Sequence, residues 1–185
     1  MVHTGGASET DWVWTDDGGV LAVMRNEAGE GDEFGSYVCR AEPEALGDWS
    51  CRYDPRKYDS PLLFQEAGRT WLVGRRTLGN DGLYDLDQDD LTHEQQYYAY
   101  QVNYWDDRKR CSLWEVDGEE LTVSWVLDLP SAGDTCFPDD RSLGDGLLEI
   151  WNYSSPLDGG DPSWLDGQLG PTQITRTVID FSAAG

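Results

Sequence analysis

Lysine is almost absent from this sequence, and basic residues as a whole are scarce. Of 185 residues, 13 are lysine or arginine and 36 are aspartate or glutamate, and the only lysines are Lys57 and Lys109. The net charge of −23 at pH 7 argues against nucleic acid and anionic membranes as partners. Apolar runs long enough to cross a bilayer are also missing, so no membrane-spanning helix is expected.

The sequence also lacks an export signal and a cysteine pair with metal-binding spacing. Because residues 1–6 carry neither the basic nor the hydrophobic part of a signal peptide, a cytoplasmic protein is expected from the chain as written. If the N-terminus has been truncated, an extracellular or periplasmic protein is expected instead. The four cysteines include no Cys-x-x-Cys pair, which argues against zinc and redox sites and favours buried free thiols. Cys39 and Cys51 are nonetheless placed to face each other across a hairpin.

A repeated unit is the most informative feature that is present. Residues 17–26 and 67–76 each contain a turn glycine and an apolar strand with an arginine near its end. A weaker third copy spans residues 145–153 and has a tyrosine at the arginine position. The equivalent positions are 50 and 78 residues apart, which is at or above the length of a propeller blade.

These repeats predict an all-β fold made of β-propeller blades in a single domain. The three units are expected at about 11–52, 59–127 and 134–181. The second unit carries an insertion at 78–105, which contains the one convincing helix, near 91–105. Because a closed propeller usually has four or more blades, three units predict a partial or half propeller.

The repeated polar positions are candidate ligand contacts. If Arg25 and Arg75 lie on innermost strands, they converge on the central depression of a propeller and can grip one carboxylate or sulfate. The alternative is that both arginines pair with nearby aspartate and glutamate on a rim. Tyr153 has three readings, which are a nucleophile of the sialidase type beside a carboxylate, a ligand contact, and an ordinary strand aromatic. Glu27 follows Arg25 by two residues and is expected at the same opening.

Two aspartates and one tyrosine complete the predicted site. Asp59 and Asp134 stand at equivalent entries to strands of two units, where burial would suit either to acid or base catalysis. Asp134 is the preferred acid/base and Asp59 a substrate contact, although most aspartates in so acidic a chain face solvent. Tyr104 belongs to an aromatic group in the insertion that is expected to roof the site and contact substrate.

No cofactor is expected, with one qualified alternative for calcium. Asp85, Asp87 and Asp89 have the alternating oxygen ligands of a calcium loop. The sixth and twelfth positions, Asp90 and Gln96, break the EF-hand pattern, so a solvated acidic loop is the competing interpretation.

The order of these motifs resembles the sialidase-like (exo-α-sialidase) β-propellers. The resemblance is carried by residues 60–75 and by residues 129–155, with Leu-Pro-Ser-Ala-Gly-Asp-Thr at the start of the second segment and Tyr-Ser-Ser at its end. The family's Ser-x-Asp-x-Gly-x-x-Trp box is absent. The family implies six blades, so this chain would form only part of such a propeller.

The resemblance also implies roles for individual residues. The family has an arginine cluster that grips the carboxylate of an acidic sugar, and Arg25 and Arg75 match that cluster by position. It also has a catalytic tyrosine with a glutamate partner opposite an aspartate, for which Tyr153, Glu27 and Asp134 are the candidates.

The leading hypothesis is therefore a glycosidase-like propeller that acts on an acidic or decorated sugar, as an exo-sialidase-like enzyme would. The main alternative is a noncatalytic carbohydrate-binding or interaction propeller fragment. The expected partners are a carbohydrate ligand and either a second copy of the chain or a missing propeller half, because unpaired blade edges invite association.

Overall fold

The computed structural model describes residues 7–182 and consists mainly of three antiparallel β-sheets. The first sheet contains β1 (Thr10–Trp14), β2 (Val20–Asn26), β3 (Gly35–Ala41) and β4 (Trp49–Asp54). The second contains β5 (Asp59–Glu66), β6 (Arg69–Thr77), β7 (Lys109–Asp117) and β8 (Thr122–Asp128). The third contains β9 (Asp139–Gly144), β10 (Leu147–Ser154) and β11 (Gln173–Asp180). In each sheet the strands lie side by side in chain order, so every sheet is a meander.

The glycines of the second and third repeats lie in tight hairpin turns. The two-residue loop between β5 and β6 is Ala67-Gly68, with φ values of 53° and 69°. Asp145 and Gly146, which precede β10, have φ values of 53° and 77°. Two successive residues with positive φ are the mark of the type I′ turn, whose twist matches that of the strands it joins.

The repeated segments form the second strand of each sheet, namely β2, β6 and β10. The expectation that they are innermost strands is therefore wrong. A further strand precedes each of them, and two of these first strands, β1 and β9, have weak apolar patterns because much of their surface is exposed. The arginines consequently reach the site from one strand further out than expected.

Two apolar layers hold the three sheets together. Between the first and second sheets, Leu21, Val23 and Val38 pack with a group that includes Leu72 and Trp114. Between the second and third sheets, the buried side chains belong to Val73, Leu113, Leu148, Ile150 and Phe181, among others. The expectation of an all-β fold with one inserted helix is confirmed.

The predicted helix, α1 (His93–Asp106), lies in the connection between β6 and β7. It begins after Thr92, whose side chain accepts a hydrogen bond from the backbone of Gln95, while Gln95 bonds back to the Thr92 amide. This reciprocal arrangement satisfies two backbone groups that a helix start leaves open. A second helix, α2 (Trp164–Gln168), is short, and none of the helices in residues 7–182 is long and apolar enough to cross a membrane.

All four cysteines are paired in disulfides, so the expectation of free thiols is wrong. Cys39 and Cys51 are directly opposite each other on β3 and β4. Cys111 at the start of β7 is bonded to Cys136, which lies just before β9. The second disulfide therefore links the second sheet to the third, a pairing that cysteine spacing alone did not indicate.

Candidate functional site

Asp59, the first residue of β5, is the centre of a buried charged group. Its carboxylate lies 2.8 Å from Arg25 Nη1, 3.4 Å from Arg75 Nη1 and 3.7 Å from Lys57 Nζ. The Tyr104 hydroxyl donates a further hydrogen bond to Asp59 Oδ2. We call this group the Asp59 cluster, and its members are Arg25, Glu27, Lys57, Asp59, Arg75 and Tyr104.

The electrostatics of the cluster favour an ionised Asp59. Only 1% of the residue is exposed, and burial by itself opposes ionisation. Lys57, Arg75 and Arg25 outweigh that effect and hold the pKa of Asp59 well below its usual value. A carboxylate with this surrounding is a permanent anion at neutral pH rather than a proton donor.

A β-bulge in β5 sets the position of Asp59. The pairing of β5 with β6 shifts register between Asp59 and Leu62, and Ser60 in this segment has a φ of 48°. The Ser60 amide donates to Glu9 Oε2 at 2.6 Å. Bulges redirect side chains, and here Asp59 stays directly opposite Arg75 while the rest of β5 continues along the apolar layer.

Tyr153 and Asp134 form a second polar pair beside the cluster. The Tyr153 hydroxyl donates to Asp134 Oδ1 at 2.7 Å, and Arg75 Nη2 lies 3.4 Å from the same hydroxyl. Burial raises the pKa of Tyr153 to about 12, with a further contribution from Asp134 that Arg75 partly offsets. Arg75 also donates from Nε to the carbonyl of Thr135 at 2.6 Å, so one guanidinium connects the second and third sheets.

Glu27 lies on the more open side of the cluster. Its carboxylate lies 2.7 Å from Lys57 Nζ and 3.2 Å from Arg25 Nη2, and 26% of its side chain is exposed. Gln101 of α1 donates to it at 3.0 Å. Burial would raise the pKa of Glu27, but Lys57 and Arg25 lower it overall.

The seven residues predicted from the sequence lie in one connected network. Asp59 links Arg25, Arg75 and Tyr104, Arg25 links Glu27, and Arg75 links Tyr153 and through it Asp134. Arg76 points elsewhere and pairs with Asp128 on β8. Both repeated arginines are paired with carboxylates, as the rim alternative expects, but their shared partner Asp59 is buried. The catalytic and binding roles of all seven stay predictions.

Sequence reasoning missed the two lysines. The Nζ atoms of Lys57 and Lys109 lie 4.0 and 3.8 Å from the centre of the same ring, that of Tyr104. Lys109 is fully buried and donates to Tyr104 O and to Thr77 Oγ1. Burial lowers the pKa of Lys109 to about 7. The one sequence signal was the scarcity of lysine. Lysine is seldom buried, yet both lysines of this chain are.

A separate cavity of about 370 Å³ lies near the acidic segment that precedes α1. We call it the acidic cavity, and it is lined by Glu33, Phe34, Tyr53, Pro55, Leu83, Asp85, Asp87, Asp89 and Gln96. Asp85 accepts hydrogen bonds from the Tyr53 hydroxyl at 2.6 Å and the Phe34 amide at 3.1 Å. Within residues 7–182 no group of three acidic, histidine or cysteine residues has an arrangement that could hold a metal ion. The calcium prediction therefore rests on sequence spacing alone.

Comparison with known proteins finds no matching family model and no matching curated protein, but it does find solved structures with the same fold. The α-L-arabinanase of Penicillium chrysogenum, solved with arabinobiose, matches 97% of this chain with a TM-score of 0.56 and 12% identity. The GH93 α-L-arabinofuranosidase of Fusarium graminearum, also solved with arabinobiose, matches 94% with a TM-score of 0.54 and 10% identity. A structure of the Fusarium enzyme Arb93A with an iminosugar inhibitor matches 97% with a TM-score of 0.53 and 11% identity.

The chain spans less than half of each of these proteins, from 45% to 49% of their length. At such low identity the likeness concerns the fold. It supports the part of the sequence-based resemblance that concerns the fold, which is that of propeller glycosidases. It does not support the sialidase family in particular. The three sheets are propeller-like blades, and the chain has the fold of part of a β-propeller whose structural neighbours are glycosidases.

Proposed function

We propose that this chain forms the site-bearing part of a carbohydrate-active β-propeller that cleaves glycosidic bonds. The observation that carries the proposal is the Tyr153–Asp134 pair, which stands beside Arg75 and the Asp59 cluster at a point where all three sheets contribute. A tyrosine assisted by a carboxylate is an established glycosidase nucleophile.

In the proposed reaction the Tyr153 oxygen attacks the anomeric carbon as its proton passes to Asp134. The glycosidic C–O bond breaks and the aglycone leaves with the bonding electrons, as a phenolate in an aryl glycoside. Water then attacks the anomeric carbon and gives its hydroxyl to the sugar and a proton to solvent, while the Tyr153 oxygen departs and takes its proton back from Asp134. Because the pKa of Tyr153 is raised to about 12, the phenol needs a base within hydrogen-bond reach, which Asp134 supplies at 2.7 Å. Arg75 stabilises the developing phenolate by its charge.

The lowered pKa of Glu27 determines which substrate should be tried first. An ionised Glu27 suits stabilisation of an oxocarbenium-like transition state better than protonation of a leaving group. Aryl glycosides with nitrophenolate leaving groups need no such proton. They are therefore the substrates on which this site is expected to act most readily.

The charge of the site bears on the predicted preference for an acidic sugar. Arg25 and Arg75 would have to exchange buried Asp59 for the carboxylate of a substrate, in a protein that carries a net charge of −23. Such an exchange leaves Asp59 without its partners, which is costly. We therefore propose that the arginines position Asp59, and that the preferred substrate is a neutral decorated sugar such as the arabinosides bound by the structural neighbours.

The test is a panel of 4-nitrophenyl α-L-arabinofuranoside, other neutral aryl glycosides and an aryl sialoside. Hydrolysis is expected for a neutral furanoside and is expected to fall by at least about a hundredfold in Tyr153→Phe and Asp134→Asn. Tyr53→Phe is the matched control, since Tyr53 makes a similar bond to Asp85 outside the site. Release of nitrophenol from the sialoside alone would restore the acidic-sugar prediction.

A noncatalytic carbohydrate-binding role is the second candidate. It is favoured because Asp59 and Glu27 are each paired with cations. These cations keep both carboxylates ionised, so neither is ready to donate a proton. Saturable binding of arabino-oligosaccharides without turnover of any aryl glycoside would establish this role and overturn hydrolysis. Equal activity of wild type and Tyr153→Phe would overturn the proposed nucleophile.

The disulfides bear on the compartment in which the protein folds. Structural disulfides persist in oxidising compartments and are rare in a reducing cytosol. We therefore propose extracellular or periplasmic folding. Titration of thiols in the unfolded protein should detect none without reductant and four with it, whereas four free thiols in freshly purified protein would contradict the proposal.

A further inference from the structure

One face of the first sheet has exposed aromatic side chains, and no other sheet among residues 7–182 packs on it. Val13 of β1 packs towards the second sheet. Successive strand residues point to opposite faces, so Trp12 and Trp14 lie on the outward face. They are 52% and 54% exposed, and their rings contact each other edge to face.

The third sheet has an equivalent face at the other end of the row of sheets, on which no other sheet of the described residues packs. Leu148 and Ile150 of β10 pack towards the second sheet, so Trp151 points outward. On β11, Ile179 packs inward and therefore Ile174 and Val178 point outward. Trp151 is 44%, Ile174 69% and Val178 43% exposed.

The molecule itself shows what such faces pack against. Each internal boundary between neighbouring sheets is an apolar layer built from aliphatic and aromatic side chains. The outward face of the third sheet combines such side chains with one charged group, in which Glu149 pairs with Arg141 and Arg176. The chain also covers only 45% to 49% of the solved propellers that share its fold. A second copy would therefore supply nearly the length that such a propeller needs, together with the missing faces.

We propose that a second copy of this chain covers both faces, with the first sheet of each copy packed on the third sheet of the other. The arrangement has two-fold symmetry and two identical contacts, and it closes into a ring that leaves neither terminal face exposed. It would complete the wall around the Asp59 cluster, but it does not depend on the function proposed above.

Charge makes the proposed association sensitive to salt. Two copies with a net charge of −23 each repel one another, and salt screens this repulsion over about 8–10 Å. The apolar contacts are not weakened by screening. Sedimentation velocity of the full chain should therefore show a mass of twice 20.8 kDa, with a larger dimer fraction at high salt than at low salt.

Single substitutions on each face test the contact. Trp14→Gln and Ile174→Gln keep the charge unchanged and should each weaken self-association about tenfold or more, since large apolar side chains dominate interfaces. Trp105→Gln on α1 is the matched control, because Trp105 is 41% exposed and lies on neither face. If either face variant fails to fold by circular dichroism, Trp12→Gln or Val178→Gln replaces it.

A mixture of the two face variants tests how the copies pair. A mixed dimer has one contact with both changes and one contact with neither, whereas each variant alone has two damaged contacts. If the costs of the two changes are additive, the mixed dimer has the mean stability of the two variant dimers, and it is tighter than both where the two changed side chains meet and the second change costs less than the first. A folded wild-type monomer at all concentrations and salts would overturn the proposal, as would open chains larger than a dimer or a mixture that associates more weakly than both variants.

Discussion

The Asp59 cluster and the acidic cavity both gather carboxylates, yet they differ in where the cations lie. Asp59 and Glu27 share Arg25 and Lys57, and Arg75 and Tyr104 contact Asp59 as well. Among residues 7–182, no lysine or arginine lines the acidic cavity. The carboxylates of the Asp59 cluster can be buried because lysine and arginine side chains lie beside them. The carboxylates of the acidic cavity have no such partners in the described part of the chain and border an open cavity.

The largest expected effect comes from removing the central carboxylate of the cluster. Asp59→Ala leaves Arg25, Arg75 and Lys57 without their shared partner, and we expect the free energy of unfolding to fall by about 3–5 kcal/mol. Asp85→Ala, the matched change in the acidic cavity, removes hydrogen bonds from the Tyr53 hydroxyl and from the Phe34 and Asp87 amides, and should cost about 1–3 kcal/mol. Urea unfolding of both variants measures the difference.

Equal losses in the two variants would contradict this contrast. If Asp59→Ala does not fold, Asp59→Asn keeps the shape of the side chain and removes only its charge. It should then still be destabilised more than Asp85→Asn.

The second prediction uses the pH dependence of Lys109. Its pKa in the folded protein is about 7, whereas its usual value is 10.5, so the unfolded chain holds an extra proton between these values. The free energy of unfolding should therefore rise with pH across this window, by up to about 1.4 kcal/mol per pH unit. The stability gained in this way is lost again as the pH falls towards 7. In Lys109→Met this contribution should disappear.

The measurement is the difference in stability between wild type and Lys109→Met from pH 7 to 10. Taking the difference cancels the titration of other groups that both proteins share. A difference that does not change with pH would show that Lys109 keeps its proton in the folded protein.

The smallest expected effect concerns the acidic cavity. Asp87→Asn or Asp89→Asn removes one of several like charges that face each other without a cation, so stability should rise by a few tenths of a kcal/mol. The gain should vanish at high salt, where exposed charges are screened. If calcium stabilises the wild type and these variants abolish the effect, the calcium prediction from sequence holds instead.

The sequence predicted strands and turns well where local rules decide them. The glycine turns, the Asp59–Thr77 hairpin and α1 follow from turn chemistry, apolar runs and helix-forming residues. The convergence of Arg25, Arg75 and Tyr153 also follows, because repeated strands carry equivalent positions to equivalent places. Their location on second strands was not predicted, because β1 and β9 lack a strong apolar pattern, and because the clear pattern of β5 does not say which strand of a sheet is innermost.

The sequence could not show which groups the site buries together. Lys57 neighbours Arg56 and Tyr58 in the chain, and nothing local distinguishes a lysine that ends beneath two carboxylates from one in solvent. The link between Cys111 and Cys136 likewise depends on how two sheets pack, because their separation of 25 residues fixes no distance.

The meander order of the strands has a consequence for synthesis. Each sheet is made from one continuous stretch of chain, so a growing polypeptide can complete the first sheet, with Cys39 bonded to Cys51, before the second has been made. Cys111 of the second sheet can form its disulfide only after Cys136 has been made. Every member of the Asp59 cluster lies between Arg25 and Tyr104, so the charged group can form before the third sheet, which brings Tyr153 beside Arg75, has been made.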